Sequence, residues 1–392
     1  MDLDTFHCGV LPVAVSISRF QGQSGVEEYH LAVHPTEYGS IDTQLEWVYD
    51  AYRDALDSLG LDLQTAVLRR FYCSDLPNQA AALAAHPFSH PGPGDEPCAV
   101  SWVCQPPMPP VKVALWAYHV RDPRGPLEKT QEGSSLTLAR GSLSHHWTTG
   151  ITCPGAEGSH AQTQGILERY EAFLQARNLS LADNLIRTWI FVQDIDANYR
   201  GMATARRAFF AARGLTPQTH FIASTGVQGG HADLAAKVTL DAYAISGVRG
   251  EQIEFLAAPD YLSPTHVYGV TFERGVAISY RDRKQVIISG TASIDREGQI
   301  LHPGDVSRQL DRTLQNVEAL LGQAGAGFPD VSHFIVYVRD PGDHPIAWQQ
   351  MRERFGQAPL EVVLASVCRP GWLIEVECQA VVPASRPELP EF

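Results

Sequence analysis

The sequence repeats one pattern three times, and this repetition restricts the chain to a fold built from three similar modules. Each copy has an amphipathic helix, a turn rich in Gly or Leu, and a β-branched strand that ends in Asp. The copies are YDAYRDALDSLGLDLQTAVLRRFYCSD, RYEAFLQARNLSLADNLIRTWIFVQD and NVEALLGQAGAGFPDVSHFIVYVRD, which end at Asp75, Asp194 and Asp340. They align without gaps over most of their length, so we expect three units of similar size.

The apolar spacing in the third copy predicts a helix that packs on a sheet. Leu310, Leu314, Val317 and Leu321 recur at intervals of three or four residues, which places them on one helical stripe. A second short helix and two further strand-like runs follow each terminal Asp. Each module is therefore predicted to be an α+β unit of about 110–130 residues, with two helices on one face of a mixed sheet.

Two passages richer in Pro, Gly and Ser separate the predicted modules. They are DPRGPLEKTQEGSS and ISGVRGEQIEFLAAPDYLSP, and we interpret both as linkers. Boundaries near residues 125 and 250 then give modules 1–125, 126–250 and 251–392. We expect their sheets to meet edge to edge within one chain, with the helices outside.

Charge and cysteine usage argue against several classes of protein. The 392 residues include 30 Lys+Arg and 44 Asp+Glu, a formal net charge of −14, so neither nucleic acid nor an anionic membrane surface is an expected partner. No apolar run approaches the roughly 18–20 residues that span a bilayer. The seven cysteines are scattered without a CxxC pair. We expect a cytoplasmic protein that is a monomer or a weak homo-oligomer.

Motifs for metal and phosphate binding are weak. His145 and His146 are adjacent and do not have the i, i+4 spacing of a helical metal site. The Gly-rich stretch GVQGGH lacks the Lys of a phosphate-binding loop. We therefore predict no metal and no organic cofactor.

Several motifs of the third module resemble the Rid/YjgF superfamily. They are SGTASID, RTLQNVEALL, AGAGFPDV, VYVRD and PLEVVLASVCRP with the closing LIEVE. Members of that superfamily have a chorismate-mutase-like α+β fold and form homotrimers with sites at the subunit interfaces. The resemblance therefore implies a covalent version of the trimer, in which three Rid-like modules form a pseudo-trimeric barrel.

The second module resembles one group of these proteins more narrowly. Its RTWIFVQDI, NY, AR and IASTGV are similar to chorismatases, which remove the enolpyruvyl group of chorismate as pyruvate. This resemblance covers roughly residues 135–385. Module 1–125 matches only in layout and is interpreted as a degenerate copy.

One position departs from the deaminating Rid enzymes. These bind the substrate carboxylate with an arginine two residues after the Pro that opens the penultimate strand, and here that position, counted from Pro359, is Glu361. Because a carboxylate repels an anion, imine deamination is disfavoured. The family Glu of the closing strand is retained as Glu375, whereas VKVALWA and KVTLDAY of the other modules have no carboxylate there. We expect one working site per chain.

A site for chorismate needs two cationic groups, a proton donor and little water, because the substrate is a dicarboxylate with an acid-sensitive enol ether. The chorismatase resemblance implies Tyr199 and Arg206 as one substrate-binding pair. Their spacing of seven residues places them on one face of a helix.

The resemblance implies a second substrate-binding pair at the start of the third module. It consists of Tyr261 and Arg274. The intervening SPTHVYGVTFE leaves the register open, so Tyr268 or Arg281 is the alternative counterpart.

Glu375 is the expected catalytic residue. In the alternating strand LIEVEC, Glu375 and Glu377 point to one side, and Ile374 and Val376 point to the other. A carboxyl partly removed from water would have a pKa raised toward neutrality and could act as a general acid. The opposing interpretation is that both glutamates are solvated strand residues.

Gly290 and Cys368 are the expected product-specificity residues. We do not interpret Cys368 as a nucleophile, because no His lies at a motif-like distance. Together the two resemble the chorismatase branch that forms 3-hydroxybenzoate, whereas the branch with Ala residues hydrolyses chorismate to a dihydroxy-cyclohexadiene carboxylate. As wall positions, both are expected to tolerate Ala at a cost of about 1–3 kcal/mol.

The sequence thus predicts an enzyme that converts chorismate to 3-hydroxybenzoate and pyruvate. Two alternatives keep the enzyme class, namely hydrolysis to the diene-diol and formation of mixed 3- and 4-hydroxybenzoate. A further alternative is a non-catalytic Rid-like ligand-binding protein. Glu375 discriminates against it, because a pure binder of dianions gains nothing from a carboxylate that faces the ligand.

Overall fold

Three six-stranded mixed sheets form the framework of the protein. The computed structural model describes residues 1–7, 9, 11–91 and 94–392, and the side chains of His7 and Tyr268 lie outside this description. The three sheets have one strand order. The predicted α+β fold class is therefore confirmed.

The first sheet has the order β1-β2-β3-β6-β4-β5. Its strands are β1 (Asp2–His7), β2 (Val13–Gln21), β3 (Glu27–Pro35), β4 (Ala66–Cys73), β5 (Ala99–Cys104) and β6 (Val113–Arg121). Its helices are α1 (Ile41–Leu59) and α2 (Leu76–Ala85). Only β4 and β5 of this sheet pair in parallel, because α2 provides the crossover that a parallel pair needs.

The second sheet repeats this topology in the order β7-β8-β9-β12-β10-β11. Its strands are β7 (Glu128–Glu132), β8 (Ser135–Arg140), β9 (Leu143–Thr152), β10 (Leu185–Val192), β11 (Ala223–Gln228) and β12 (Val238–Ser246). Its helices are α3 (Gly158–Gln175), the short α4 (Leu181–Asn184) and α5 (Ile195–Ala211). Helix α5 is the crossover between the parallel strands β10 and β11.

The third sheet has the order β13-β14-β15-β18-β16-β17. Its strands are β13 (Ile253–Leu256), β14 (Gly275–Ser279), β15 (Arg283–Ala292), β16 (Val331–Val338), β17 (Leu360–Leu364) and β18 (Ile374–Pro383). Its helices are α6 (Val306–Gln323) and α7 (His344–Phe355). The predicted stripe of α6 is buried against the sheet, and Asp305 caps the helix by accepting a hydrogen bond from the Arg308 amide.

Both predicted linkers contain a strand, so the linker interpretation is wrong. Strand β7 pairs with β8, and β13 pairs with β14, each at one edge of its sheet. Strand β7 reads EKTQE and is mostly exposed, and β13 has only four residues. Strand β7 has no apolar alternation, and the alternation in β13 is limited to Ile253-Glu254-Phe255, which is too short to predict a half-buried strand.

The three modules meet at three seams, which close a ring. Isolated β-bridges cross them: Cys104 to Gly230 between modules one and two, Ala223 to Glu273 between two and three, and Pro107 to Val363 between three and one. A buried ion pair also crosses each seam. The pairs are Arg70–Asp241 at 2.8 Å between modules one and two, Arg187–Glu377 at 2.7 Å between two and three, and Arg283–Glu28 at 2.6 Å between three and one. The predicted pseudo-trimeric arrangement is confirmed, with the first module as a full member.

The sheet faces without helices form the interior of the ring. Side chains from all three modules pack there, including Trp116, Trp147, Trp189 and Tyr337. Within the described ranges, no helix is both long and apolar enough to cross a membrane.

Candidate active site

A cavity at the seam between the second and third modules gathers most of the predicted site residues. Six of the seven line it: Tyr199, Arg206, Arg274, Gly290, Cys368 and Glu375. The other lining residues are Ser224, Gly226, Val270, Phe272, Ala292, Ile294 and Trp372. Polar groups from both modules thus converge on one largely apolar space.

Helix α5 supplies Tyr199 and Arg206 from one face, as their spacing predicts. Arg206 is only 3% exposed. Its Nη1 donates a hydrogen bond to Ser224 Oγ at 3.3 Å, and no carboxylate among the described residues pairs with it. Burial lowers the pKa of Arg206, but an arginine remains charged in a protein. Arg206 is therefore a buried cation in the cavity, and none of the described carboxylates forms an ion pair with it.

Arg274 enters the cavity from the segment just before β14. It is 5% exposed, and its Nη2 donates a hydrogen bond to the Ser263 carbonyl at 2.8 Å. Its guanidinium lies 5.4 Å from the centre of the Phe272 ring. The alternative Arg281 is directed away from this cavity, because it donates to the Leu389 carbonyl and the Glu391 carboxylate.

Tyr261 is the one predicted site residue that does not line the cavity. Its side chain is 43% exposed, and the guanidinium of Arg312 lies 5.7 Å from its ring centre. A turn at Ala258 directs Leu262 inward and leaves Tyr261 outside. The alternative Tyr268 lies outside the described side chains. Without a regular period before β14, the sequence cannot specify which residue points inward.

Glu375 lies on β18, opposite Ala292 of β15 and Tyr337 of β16. It is 6% exposed. Burial raises the pKa of Glu375 to about 8, the Glu377 carboxylate adds to this, and Arg274 and Arg187 oppose it. Glu375 is therefore mostly protonated at neutral pH, and the interpretation of a solvated strand residue is wrong.

Glu377 is also buried, at 4% exposure, and it belongs to a network that the sequence did not reveal. Its carboxylate accepts hydrogen bonds from Arg187 Nη2 and Trp189 Nε1, both at 2.7 Å, and from the Thr225 hydroxyl. Three donors satisfy this carboxylate as an anion. The sequence signal for this network is the spacing in RTWIFVQDI. Arg187 and Trp189 are two residues apart on the strand, so both side chains point to the interior.

Gly290 lies directly against Glu375. A Cβ at this position would be 1.8 Å from Glu375 Oε1 and 2.9 Å from Thr225 Cγ2. Alanine at this position would require both the Glu375 carboxyl and Thr225 to shift, which is more than an ordinary wall position requires. Glycine leaves the space that the Glu375 carboxyl occupies.

Cys368 lines the same cavity as a neutral thiol. Burial raises the pKa of Cys368 to about 12, and the Glu375 carboxyl contributes in the same direction. A thiol in this state is not a nucleophile at neutral pH. Cys368 is therefore placed as part of the cavity wall.

A family model for Endoribonuclease L-PSP matches residues 275–382, which include most of the third sheet. This is the domain model of the Rid/YjgF proteins. The third module is therefore similar to Rid/YjgF domains. A 3-aminoacrylate deaminase RutC from Acinetobacter baylyi is 29% identical over 99 residues, or 25% of this chain and 79% of that protein.

Two comparisons extend beyond residues 275–382. A chorismatase from Streptomyces rapamycinicus is 28% identical over 213 residues, 50% of this chain. The match spans 63% of that chorismatase, less than two thirds of its length. A chorismatase crystal structure has a TM-score of 0.60 and 17% identity, covering 81% of this chain and 93% of that one, which shows a shared fold. The resemblance to chorismatases within the Rid/YjgF superfamily is confirmed.

Glu375 of the third module has no carboxyl counterpart at the equivalent positions of the first two modules. Sheet register aligns Glu375 with Ala114 of the first module and Thr239 of the second. Glu361, which replaces the arginine of the deaminating enzymes, does not line the cavity and pairs with His34 at 2.7 Å across another seam. The described cavity therefore contains the Glu375 carboxyl together with Arg206 of the second module and Arg274 of the third.

Proposed function

We propose that this protein is an enzyme that converts chorismate to 3-hydroxybenzoate and pyruvate. The observation that carries the proposal is the buried, largely protonated Glu375 in one cavity with the buried arginines Arg206 and Arg274. Chorismate has two carboxylates and an enol ether that reacts on protonation. The cavity provides two cations and one neutral acid, which match these groups in number and charge.

The proposed reaction begins with binding of the two carboxylates by Arg206 and Arg274. Glu375 donates its proton to the methylene carbon of the enolpyruvyl group, and positive charge develops at the ether carbon. The ring carbon–oxygen bond then breaks, its electron pair moves to the ether oxygen, and pyruvate leaves. The neighbouring ring hydroxyl attacks the ring carbon and returns a proton to Glu375, which gives an epoxide that rearranges to the phenol.

The choice of 3-hydroxybenzoate rests on the composition of the cavity wall. The two products together contain all the atoms of chorismate, whereas hydrolysis to the diene-diol consumes one water. Val270, Phe272 and Trp372 line the cavity beside Gly290 and Cys368. An apolar wall disfavours an ordered water at the ring and favours the internal reaction.

The test is incubation of the purified protein with chorismate. Pyruvate is followed with a coupled dehydrogenase, and the ring products are separated by chromatography. We expect pyruvate and 3-hydroxybenzoate in equal amounts. Diene-diol or 4-hydroxybenzoate would support the enzyme class and overturn the product, and binding of chorismate without pyruvate release would favour a non-catalytic protein.

A further inference from the structure

We propose that Glu377 is a positioning residue that keeps the neighbouring Glu375 in its acid form. The role of that proton in turnover rests on the proposed function, but the state of Glu375 can be measured without substrate. Glu377 acts only through Glu375, because it is absent from the residues that line the cavity.

The strand fixes the distance between the two carboxyl groups. Glu375 and Glu377 are two residues apart on β18 and point to the same interior side. Two strand residues span about 7 Å. At this separation, in a site shielded from water, a second negative charge strongly disfavours ionisation of the first carboxyl.

The Glu377 carboxylate accepts hydrogen bonds from three donors. Arg187 Nη2 and Trp189 Nε1 each donate to it at 2.7 Å, and the Thr225 hydroxyl donates to the oxygen that faces Arg187. Arg187 is also held on its other terminal nitrogen, because its Nη1 donates to Ser289 Oγ at 3.0 Å. Both terminal nitrogens of Arg187 therefore bond to groups other than Glu375.

One hydroxyl connects this network to the Glu375 carboxyl. Thr225 Oγ1 accepts a hydrogen bond from the Gly290 amide at 2.8 Å and donates to Glu377. Gly290 in turn lies against Glu375 Oε1. Thr225 and Gly290 therefore connect the Glu377 carboxylate to the Glu375 carboxyl.

Other titratable or charged groups face Glu375 from each neighbouring element. They are Arg187 on β10, Arg274 before β14, Tyr337 on β16, Cys368 before β18, and Tyr199 and Arg206 on α5. Burial raises the pKa of Tyr337 well above its usual value, and Cys368 is also neutral, so neither adds a negative charge. Arg274 and Arg187 lower the pKa of Glu375. Burial, the larger cause, counters them, and Glu377 is the charged group that acts in the same direction as burial.

The pseudo-threefold arrangement provides a matched control. Sheet register places Asp241 of β12 at the position of Glu377 in β18. Asp241 is 2% exposed, pairs with Arg70 at 2.8 Å and accepts from the Gly150 amide at 2.8 Å. It is a comparable buried anion at another seam, and its neighbour at the position of Glu375 is Thr239.

The experiment compares the pH profile of kcat for wild type, Glu377→Gln, Glu377→Asp and Asp241→Asn. In wild type, kcat should fall as pH rises through the range where Glu375 loses its proton. We expect Glu377→Gln to shift this fall in kcat about one pH unit lower. At a pH within the falling part of the profile, kcat of the variant should then be about tenfold below that of wild type. Asp241→Asn should lower thermal stability and leave the fall in kcat at the wild-type pH.

Glu377→Asp keeps a carboxylate but shortens the side chain by one methylene. We therefore expect its kcat to fall at a pH between the values for wild type and Glu377→Gln. If Glu377→Gln does not fold, Glu377→Asp decides the matter. A fall in kcat at the same pH as in wild type overturns the proposal, as does an equal shift in Asp241→Asn. Infrared titration of the protonated carboxyl band, assigned through Glu375→Gln, gives the same comparison without substrate. It therefore tests Glu377 even if chorismate is not turned over, which would overturn only the proposed function.

Discussion

Replacement of Gly290 by Ala should lower kcat much more than it lowers the stability of the fold. The backbone of Gly290 is outside the left-handed region, so an L residue is allowed there. The added Cβ would lie 1.8 Å from Glu375 Oε1, and an ordinary contact of 3.4 Å requires a retreat of 1.6 Å. Most of this displacement falls on the flexible Glu375 side chain, and Thr225 Cγ2, at 2.9 Å from the added Cβ, must also shift, so we expect a loss of stability of about 1–3 kcal/mol. Misplacement of a reacting group by about 1 Å costs about 10²-fold in rate, so kcat should fall by about this factor.

The assay is pyruvate release from chorismate at saturation, with thermal denaturation to measure stability. Gly226→Ala is the matched control, because its Cβ would enter the same cavity at 3.6 Å from Met202 Cε and 3.8 Å from Tyr199 Cε2, which are ordinary contacts. We expect this control to change KM more than kcat. A Gly290→Ala enzyme with kcat within about threefold of wild type would refute the reasoning, and so would an equal loss in Gly226→Ala.

Further variants test the remaining groups. Glu375→Gln should lose about 10²–10⁴ in kcat while it still binds chorismate, measured by calorimetry; turnover close to wild type would remove Glu375 from the reaction. Because burial raises the pKa of Glu375 to about 8 from 4.5, its contribution to the free energy of unfolding is full below pH 4.5 and is lost as pH rises through 8, which denaturation across this range can check. Arg206→Ala should raise KM at least tenfold, and Arg206→Lys should restore it only in part; an unchanged KM would contradict the assigned role. Cys368→Ala should still release pyruvate but yield some diene-diol by chromatography, and an unchanged product ratio would exclude control by the thiol.

The sequence predicted the repeated architecture because apolar periodicity is a local property of each segment. The stripe of α6 and the alternation around Glu375 both appear in the structure as buried faces. The edge strands β7 and β13 were missed for the same reason, since one is polar throughout and the other has four residues. A strand at a sheet edge needs only one partner, and its sequence need not alternate.

The candidate site was predictable where a residue lies on a regular element. Arg206 is on a helix and Glu375 is on a strand, so spacing fixes the side that each faces. Tyr261 follows an irregular turn, where spacing carries no such information, and it lies outside. The contact between Gly290 and Glu375 joins adjacent strands across a register shift in β15, so no local pattern could indicate it.

The ion pairs that cross the seams have a consequence for how the protein can come apart. Each pair takes its arginine from one module and its carboxylate from the next. Separation of any one module breaks two of the three pairs and also exposes the apolar interior to which all three modules contribute side chains. The modules are therefore not independent folding units, and we expect one cooperative unfolding transition in place of three.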